Sequence, residues 1–247
     1  MILALDTSSA AGSAAIVRDG AIVMERAGDA SRTHGERLPR ELMTLLDAAR
    51  VRLDEIDTFA IATGPGSFTG LRIGIATIQG LALAQSKLVV PISTFEALVS
   101  ASVPSASLSL PTSNHQPPTS RPTAVWIDAH RGEVFATLYG PDGATVVHPP
   151  TSLTPDATLA AWSASLDGMP AVHFAGDGAI RYRAAIESRL GSHAKIPAGV
   201  PLLAGVVGLL AAGAPGRAVR PHAVVPLYVR RPDAELARDR VRSTGGD

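Results

Sequence analysis

Polar residues punctuate this chain at short intervals, and the apolar runs between them assign themselves in turn to strands and helices. Ile2–Leu5 is an apolar run stopped by Asp6 and the turn Thr7-Ser8-Ser9, the pattern of a buried strand. Ser13–Val17 and Ala21–Glu25 follow as strands joined through Arg18-Asp19-Gly20, and Asp-Gly between two such runs predicts a hairpin. Thr33 with Glu36 forms a capping-box pattern that opens a helix over His34–Arg50, whose stripe of Leu38, Leu42, Leu45, Leu46 and Ala49 makes an ordinary amphipathic face. Thr58–Thr63 reads as a strand, 64–70 as a glycine-punctuated turn, and Leu71–Gln85 as a helix. At about 100° per residue that helix has a polar strip of only Arg72 and Gln79. Leu71, Ile75, Ile78 and Ala82 form one apolar face, and Gly70, Gly74, Thr77, Gly80 and Ala84 a second face of small residues beside Ile73 and Leu81. A helix so poor in polar surface is expected to pack on its sheet on one side and on another helix or protein on the other.

Leu88–Pro91 is the next strand, with a helix from near Ser93. The pattern then breaks: Val103–Pro122 is rich in proline and serine with a single charge, the composition of a disordered or extended linker. His115 inside it has no companion ligands. After it the opening grammar returns. Ala124–Ile127 ends at Asp128 as Ile2–Leu5 ends at Asp6, Val134–Tyr139 and Ala144–Val147 flank Pro141-Asp142-Gly143, and Val172–Ala175 leads through Gly176-Asp177-Gly178 to a helix over Ala179–Leu190. One element order used twice predicts a duplicated α/β fold. The expected division is a first lobe over 1–102, the linker or insert over 103–122, a second lobe over 123–199, a helix and return segment over 200–231, and a flexible tail over 232–247.

Composition narrows the chemistry. Of 247 residues 46% are hydrophobic and 18% charged, with 22 basic and 22 acidic side chains and no cysteine. Zero net charge argues against a stand-alone nucleic-acid binder, and the missing thiols remove disulfides, zinc thiolate sites and thiol nucleophiles. Met1–Leu5 has no basic flank, unlike a signal peptide, and 200–214 is too short to span a bilayer; a cytoplasmic protein is expected.

The loop 64–70 invites a phosphate reading, because free N–H groups at a helix N-terminus attract anions. The sharper motifs fail, however. Walker A needs glycine where Thr69 stands, Gly64, Gly66 and Gly70 miss the dinucleotide spacing by one residue, and Pro65 occupies the first glycine of a nucleophile elbow. A tight turn bringing strand and helix close is the favoured reading. Asp6, with Thr7, Ser8, Gly64 and Gly66, is open to two readings: turn-capping, or a vestigial nucleotide site. Asp128 and Asp177 face the same choice. His34-Gly35-Glu36 resembles a deaminase H-x-E without the cysteines that zinc site needs, and nothing in the spacing supports a triad of Ser67, Asp177 and a histidine.

Taken together, ALDTSSAAGSAAI, THGERL, ATGPGSFTGLRIGIATIQGLA, PISTFEAL, DAHRGEVFATLYG, GDGA and PLYVR resemble the TsaB (YeaZ) family over nearly the whole chain. The resemblance implies a two-lobed actin/hsp70-like ATPase fold of ribonuclease-H-like lobes. It also implies a non-catalytic subunit that pairs with the catalytic paralogue TsaD, joined by the ATPase TsaE, in placing threonylcarbamoyl on the adenosine beside the anticodon of tRNA. No cofactor of its own is then expected, with ATP and a metal at the partner subunits; tRNA would be met only through the complex, and self-pairing of the chain alone stays open. The paralogue's metal-binding His-x-x-x-His corresponds to Thr94 and Leu98 here, which are poor ligands. The family's Asp-Ala-Arg is Asp128-Ala129-His130, leaving Arg131 as the nearest guanidinium. The alternative function is a self-sufficient nucleotide hydrolase or kinase using Asp6 and the glycine turns. Under the favoured reading the partner surface is expected at Leu38, Leu42, Leu45, Leu46, Leu71, Gly74, Ile75, Ile78 and Leu81, with Gly74→Leu or a charge at Ile78 expected to abolish pairing.

Overall fold

The computed structural model describes residues 1–102, 121–169 and 171–230; nearly all of the Pro/Ser-rich stretch, and the tail beyond 231, lie outside them. Strands β1 (Ile2–Asp6), β2 (Ser13–Arg18), β3 (Ala21–Ala27), β4 (Thr58–Ala62) and β5 (Leu88–Ile92) form one sheet in the order β3-β2-β1-β4-β5. Strands β6 (Thr123–Asp128), β7 (Val134–Tyr139), β8 (Val146–Leu153), β9 (Val172–Ala175) and β10 (Ala194–Lys195) form the second, in the order β10-β9-β6-β7-β8. The orders are the same when each lobe is counted from its own first strand. In both, two antiparallel pairings carry the hairpin strands, and the fourth and fifth strands add in parallel. The repeat expected from turn chemistry is therefore a repeat of topology, and the fold is the duplicated actin-like α/β architecture. The β2–β3 turn is built as its residues demand, with Asp19 at φ 51 and Gly20 at φ 73, the left-handed pair that a tight hairpin requires.

Helices α1 (His34–Ala49) and α2 (Phe68–Ala84) cover the outer face of the first sheet, and α3 (Thr94–Ala101) follows β5. In the second lobe α4 (Pro155–Ala161), α5 (Ser163–Leu166), α6 (Asp177–Arg181) and α7 (Arg183–Leu190) lie around a core of Trp126, Trp162 and Phe174 packed edge to face. The helix expected over Ala179–Leu190 is thus two, broken at Tyr182. The strand expected over Ala144–Val147 runs instead through Pro149 and Pro150 to Leu153; it is an edge strand, where missing N–H groups are tolerated.

The last helix, α8 (Ala204–Gly213), does not stay with its own lobe. It packs on β1, β2 and β4 of the first sheet, while α3 of the first lobe contacts β6 of the second. Both helices fall in one buried cluster with Ala4, Ala60, Val90, Val125 and Ile127, which joins the lobes. Close approach is set by Gly208, where a Cβ would lie 2.5 Å from Val17 and 3.2 Å from Ala4. The sequence of α8 offers no polar cap, and its first N–H groups are satisfied from the sheet: Ser13 Oγ accepts from Leu203 (3.2 Å) and Ala204 (2.9 Å), and Glu25 Oε1 from Gly205 (2.7 Å). Removing a capping oxygen leaves buried donors unpaired. Ser13→Ala is expected to lower stability by about 1–2 kcal/mol, read as a lower urea midpoint with an unchanged m-value.

Candidate partner surface and inter-lobe cleft

Helix α2 begins at Phe68, earlier than its apolar periodicity suggested, because Ser67 caps it by accepting the Gly70 N–H. The expectation that one of its two faces, apolar or small, would meet a partner is corrected by what covers them. Ile75 and Ile78 face the first sheet and are buried, Leu38, Leu42, Leu45 and Leu46 of α1 close the same core, and Leu71 is buried beside Gly64. Gly74 is buried against Thr7, onto which any Cβ would fall. Of the expected interface residues, Leu81 alone is partly open; the rest are interior, and Gly74→Leu would act on folding rather than on pairing. The polar strip is occupied too: Gln79 Nε2 donates to Pro221 O (2.9 Å) and Val224 O (3.0 Å), and Arg72 Nε to Tyr228 Oη (2.9 Å).

Besides Phe68 and Arg72 near its start, α2 leaves to solvent a different ridge: Thr69, Ala76, Gly80, Leu83 and Ala84. These positions recur at helical spacing and are small except for Leu83, which is 72% exposed. A Cβ at Gly80 would meet nothing within 4 Å. Alongside, α1 exposes Pro39 and Met43, the latter 53%.

The carboxylates lie elsewhere, in the cleft between the lobes. Asp6 and Ser8 face Asp177 across a cavity of about 200 Å³ that Thr94, Leu98 and the chain from Val200 to Leu203 also line. Burial pushes the Asp6 carboxyl above its ordinary range, against the opposing pull of its hydrogen bonds with Ser8. Asp128 is tied to Arg181 (2.9 Å), and its N–H donates to Asp177 Oδ1 (2.9 Å). Thr7 Oγ1 and Thr94 Oγ1 are buried without a partner. The turn after β1 is held from α1. Arg37 donates to Ala10 O and Ala11 O, and its guanidinium also meets His34 Nδ1 at 2.9 Å. A guanidinium only donates, so Nδ1 accepts and the ring is the neutral Nε2–H tautomer, donating to Ser9 O (3.0 Å). His34 is thus a structural brace, and burial keeps its pKa low.

The glycine turn does not join this cleft. A Cβ at Gly66 would fall onto Ser8, and Gly64 packs on Leu71 and on Leu227 O. The turn N–H groups of Ser8 and Gly12 are taken by Asp6 Oδ1 and Ser9 Oγ. A polyphosphate entering here would meet two carboxylates and, among the described residues, no basic side chain, and the cavity is smaller than the roughly 300–1,000 Å³ of small-molecule sites. The residues present do not fit a nucleotide at this point. A second cavity of about 510 Å³, which shares Leu98, Gly176 and Pro201 with the cleft, is lined by His173, Arg183 and Lys195; sequence periodicity gave no sign of it. Among the described residues no helix is long and apolar enough to cross a membrane, and no group of three or more His, Asp or Glu side chains is placed to hold a metal.

Known proteins match this architecture. The family model for TsaD, tRNA N6-adenosine threonylcarbamoyltransferase, matches residues 24–167, more than half of the chain. An uncharacterized protein of Mycobacterium tuberculosis is 30% identical over 236 residues, covering 95% of this chain and 93% of its own. The tRNA threonylcarbamoyladenosine biosynthesis protein TsaB of Haemophilus influenzae is 38% identical over 102 residues, 40% of this chain and 42% of that protein. The solved structure of YeaZ from Pseudomonas aeruginosa superposes with a TM-score of 0.71 at 28% identity, covering 92% of this chain and 98% of that one. The chain therefore belongs to the family of the threonylcarbamoyltransferase model, and within it is a TsaB (YeaZ)-like protein.

Proposed function

We propose that this chain is the non-catalytic partner of the catalytic paralogue TsaD, acting in the cytoplasm with the ATPase TsaE in threonylcarbamoyl transfer to the adenosine beside the tRNA anticodon. The observation that carries the reading is the exposed ridge on α2. An apolar helix covered on its other sides by the first sheet, α1 and the 221–224 turn retains one open strip of small residues, a shape that admits a second helix at close range. The place of the paralogue's metal ligands supports the same division of labour, since Thr94 and Leu98 are both buried and neither is a good ligand. ATP and metal belong, on this reading, to the partner subunits.

Gly80→Leu tests the ridge, because the new side chain enters open space in the free chain. The variant is expected to melt as the wild type does, yet to lose about 1–3 kcal/mol of pairing with TsaD, roughly five- to 150-fold in Kd by calorimetric titration. Equal binding by Gly80→Leu and by Ala76→Glu would move the interface off α2.

Asp6 separates accessory from enzyme. Its folded-state pKa is raised, so its protonated form is the better buried; the stability that proton confers is complete at low pH and is lost as pH rises through the raised value. Asp6→Asn keeps an acceptor for the Ser8 N–H without the buried charge. It is expected to raise Tm at pH 7 by roughly 2–4 °C, about 1 kcal/mol in a chain of this size, with the gap closing toward pH 4. Reconstituted tRNA modification should be unchanged; ATP turnover by the pure chain that disappears in Asp6→Asn would establish the hydrolase instead.

A further inference from the structure

The residues around the start of α2 form a second feature that burial and helix packing do not explain. Phe68 and Arg72 are one helical turn apart, and the Arg72 guanidinium carbon lies 4.1 Å from the centre of the Phe68 ring. Its Nε donates to Tyr228 Oη at 2.9 Å, and the Phe68 and Tyr228 rings are 5.4 Å apart at 31°. The base of the guanidinium is therefore held from two directions by rigid aromatic groups. The two terminal nitrogens, Nη1 and Nη2, make no ion pair or hydrogen bond among the described residues, and the side chain is exposed. A long, flexible arginine on a surface would ordinarily lose its freedom on meeting a ligand; here most of that ordering is already in place.

We infer that Arg72 is the anchor of the partner surface and that its outward fork receives a carboxylate of the partner chain. The inference rests on the pairing proposed above and adds the chemistry of the contact. Arg72 lies next to the ridge, three residues from Thr69 and four from Ala76, so a helix laid on the ridge passes beside it. The surroundings favour a protein carboxylate over a nucleic-acid phosphate. Arg72 is the only charged residue from Gly64 to Gln79, whereas a phosphate backbone is tracked by several cations in a row. Its rim is apolar, with Phe68 42%, Leu227 41% and Val225 68% exposed, the setting in which a single Arg with aromatic neighbours becomes an interface hot spot. A planar fork with two free N–H edges matches a carboxylate in two parallel hydrogen bonds, which an ammonium cannot reproduce.

The test measures binding of the full chain to the purified TsaD-family subunit of the same organism, at low and physiological salt, with self-association and tRNA retention followed in parallel. Arg72→Lys keeps the charge and removes the fork; it is expected to weaken pairing about tenfold with an unchanged Tm. Tyr228→Phe, which removes the brace and keeps the guanidinium, is expected to weaken it by a smaller factor. Arg72→Ala should bind weakly and flatten the salt dependence. Wild-type affinity and salt slope in both Arg72 variants would overturn the inference while leaving the pairing intact. Failure of the wild type to bind the subunit would overturn the pairing itself and this contact with it. Variants that change only self-association or only tRNA retention would assign the fork to a second copy or to RNA, and so overturn the partner carboxylate.

Discussion

The exchange of helices between the two sheets is the contact on which the rest of the molecule depends. Each sheet has an inner face that its own lobe does not fill, and α3 and α8 cross to fill the other lobe's. Helix α8 could not stand in water: it carries no polar side chain, and even its N-terminal N–H groups rely on Ser13 and Glu25 of the opposite lobe. Burying both inner faces at once fixes the lobe arrangement, and the cleft is what remains at its edge. Because Val200–Leu203, leading into α8, lines that cleft, the helix that holds the lobes together also limits what can enter between them.

A return segment reinforces this from the opposite side. From Pro221 to Tyr228 it runs along α2, taking up Gln79 and Arg72, and at Arg230 it reaches the second lobe, where the guanidinium binds Glu133 Oε2 (2.8 Å) and Ala129 O (3.1 Å). The motif PLYVR is thus a strap across the lobes. It also explains the unusual polarity of α2. Gln79 and Arg72 are the hooks for the strap, Arg72 from an exposed position, and the rest of the wet face is made of Thr69, Ala76, Gly80, Leu83 and Ala84.

The cleft is lined by carboxylates and hydroxyls whose hydrogen bonds turn inward. Asp6 ends the first strand of one lobe and Asp177 follows the fourth strand of the other, but the N–H groups that would cradle a phosphate are used by the neighbouring side chains, and the glycine turn closes onto Ser8. Packing has taken over the positions that hydrogen bonding to a ligand would need. The raised pKa of Asp6 and the orphaned hydroxyls of Thr7 and Thr94 are the polar remainder.

Much of this was legible in the residues themselves. Period and punctuation located the strands from β1 to β7 and β9, the Asp-Gly hairpin, the capping box of α1 and the doubled order of elements, because each depends on local sterics and on which side of a strand or helix must be dry. The same local reasoning failed where a residue's role depended on what lay across from it. Leu38 and Ile78 are apolar whether a sheet or a partner covers them, so their pattern could not distinguish core from interface. Gly74 and Gly80 are both glycines on one helix; Thr7 from a distant turn presses on the first, and nothing faces the second. Arg72 reads as a solvent strip until Tyr228, 156 residues later in the chain, is placed beside it. Local periodicity determined which surfaces had to be buried; only the tertiary structure decided by what, because long-range contacts are chosen by the packing of whole layers and leave no mark on the spacing of any single segment.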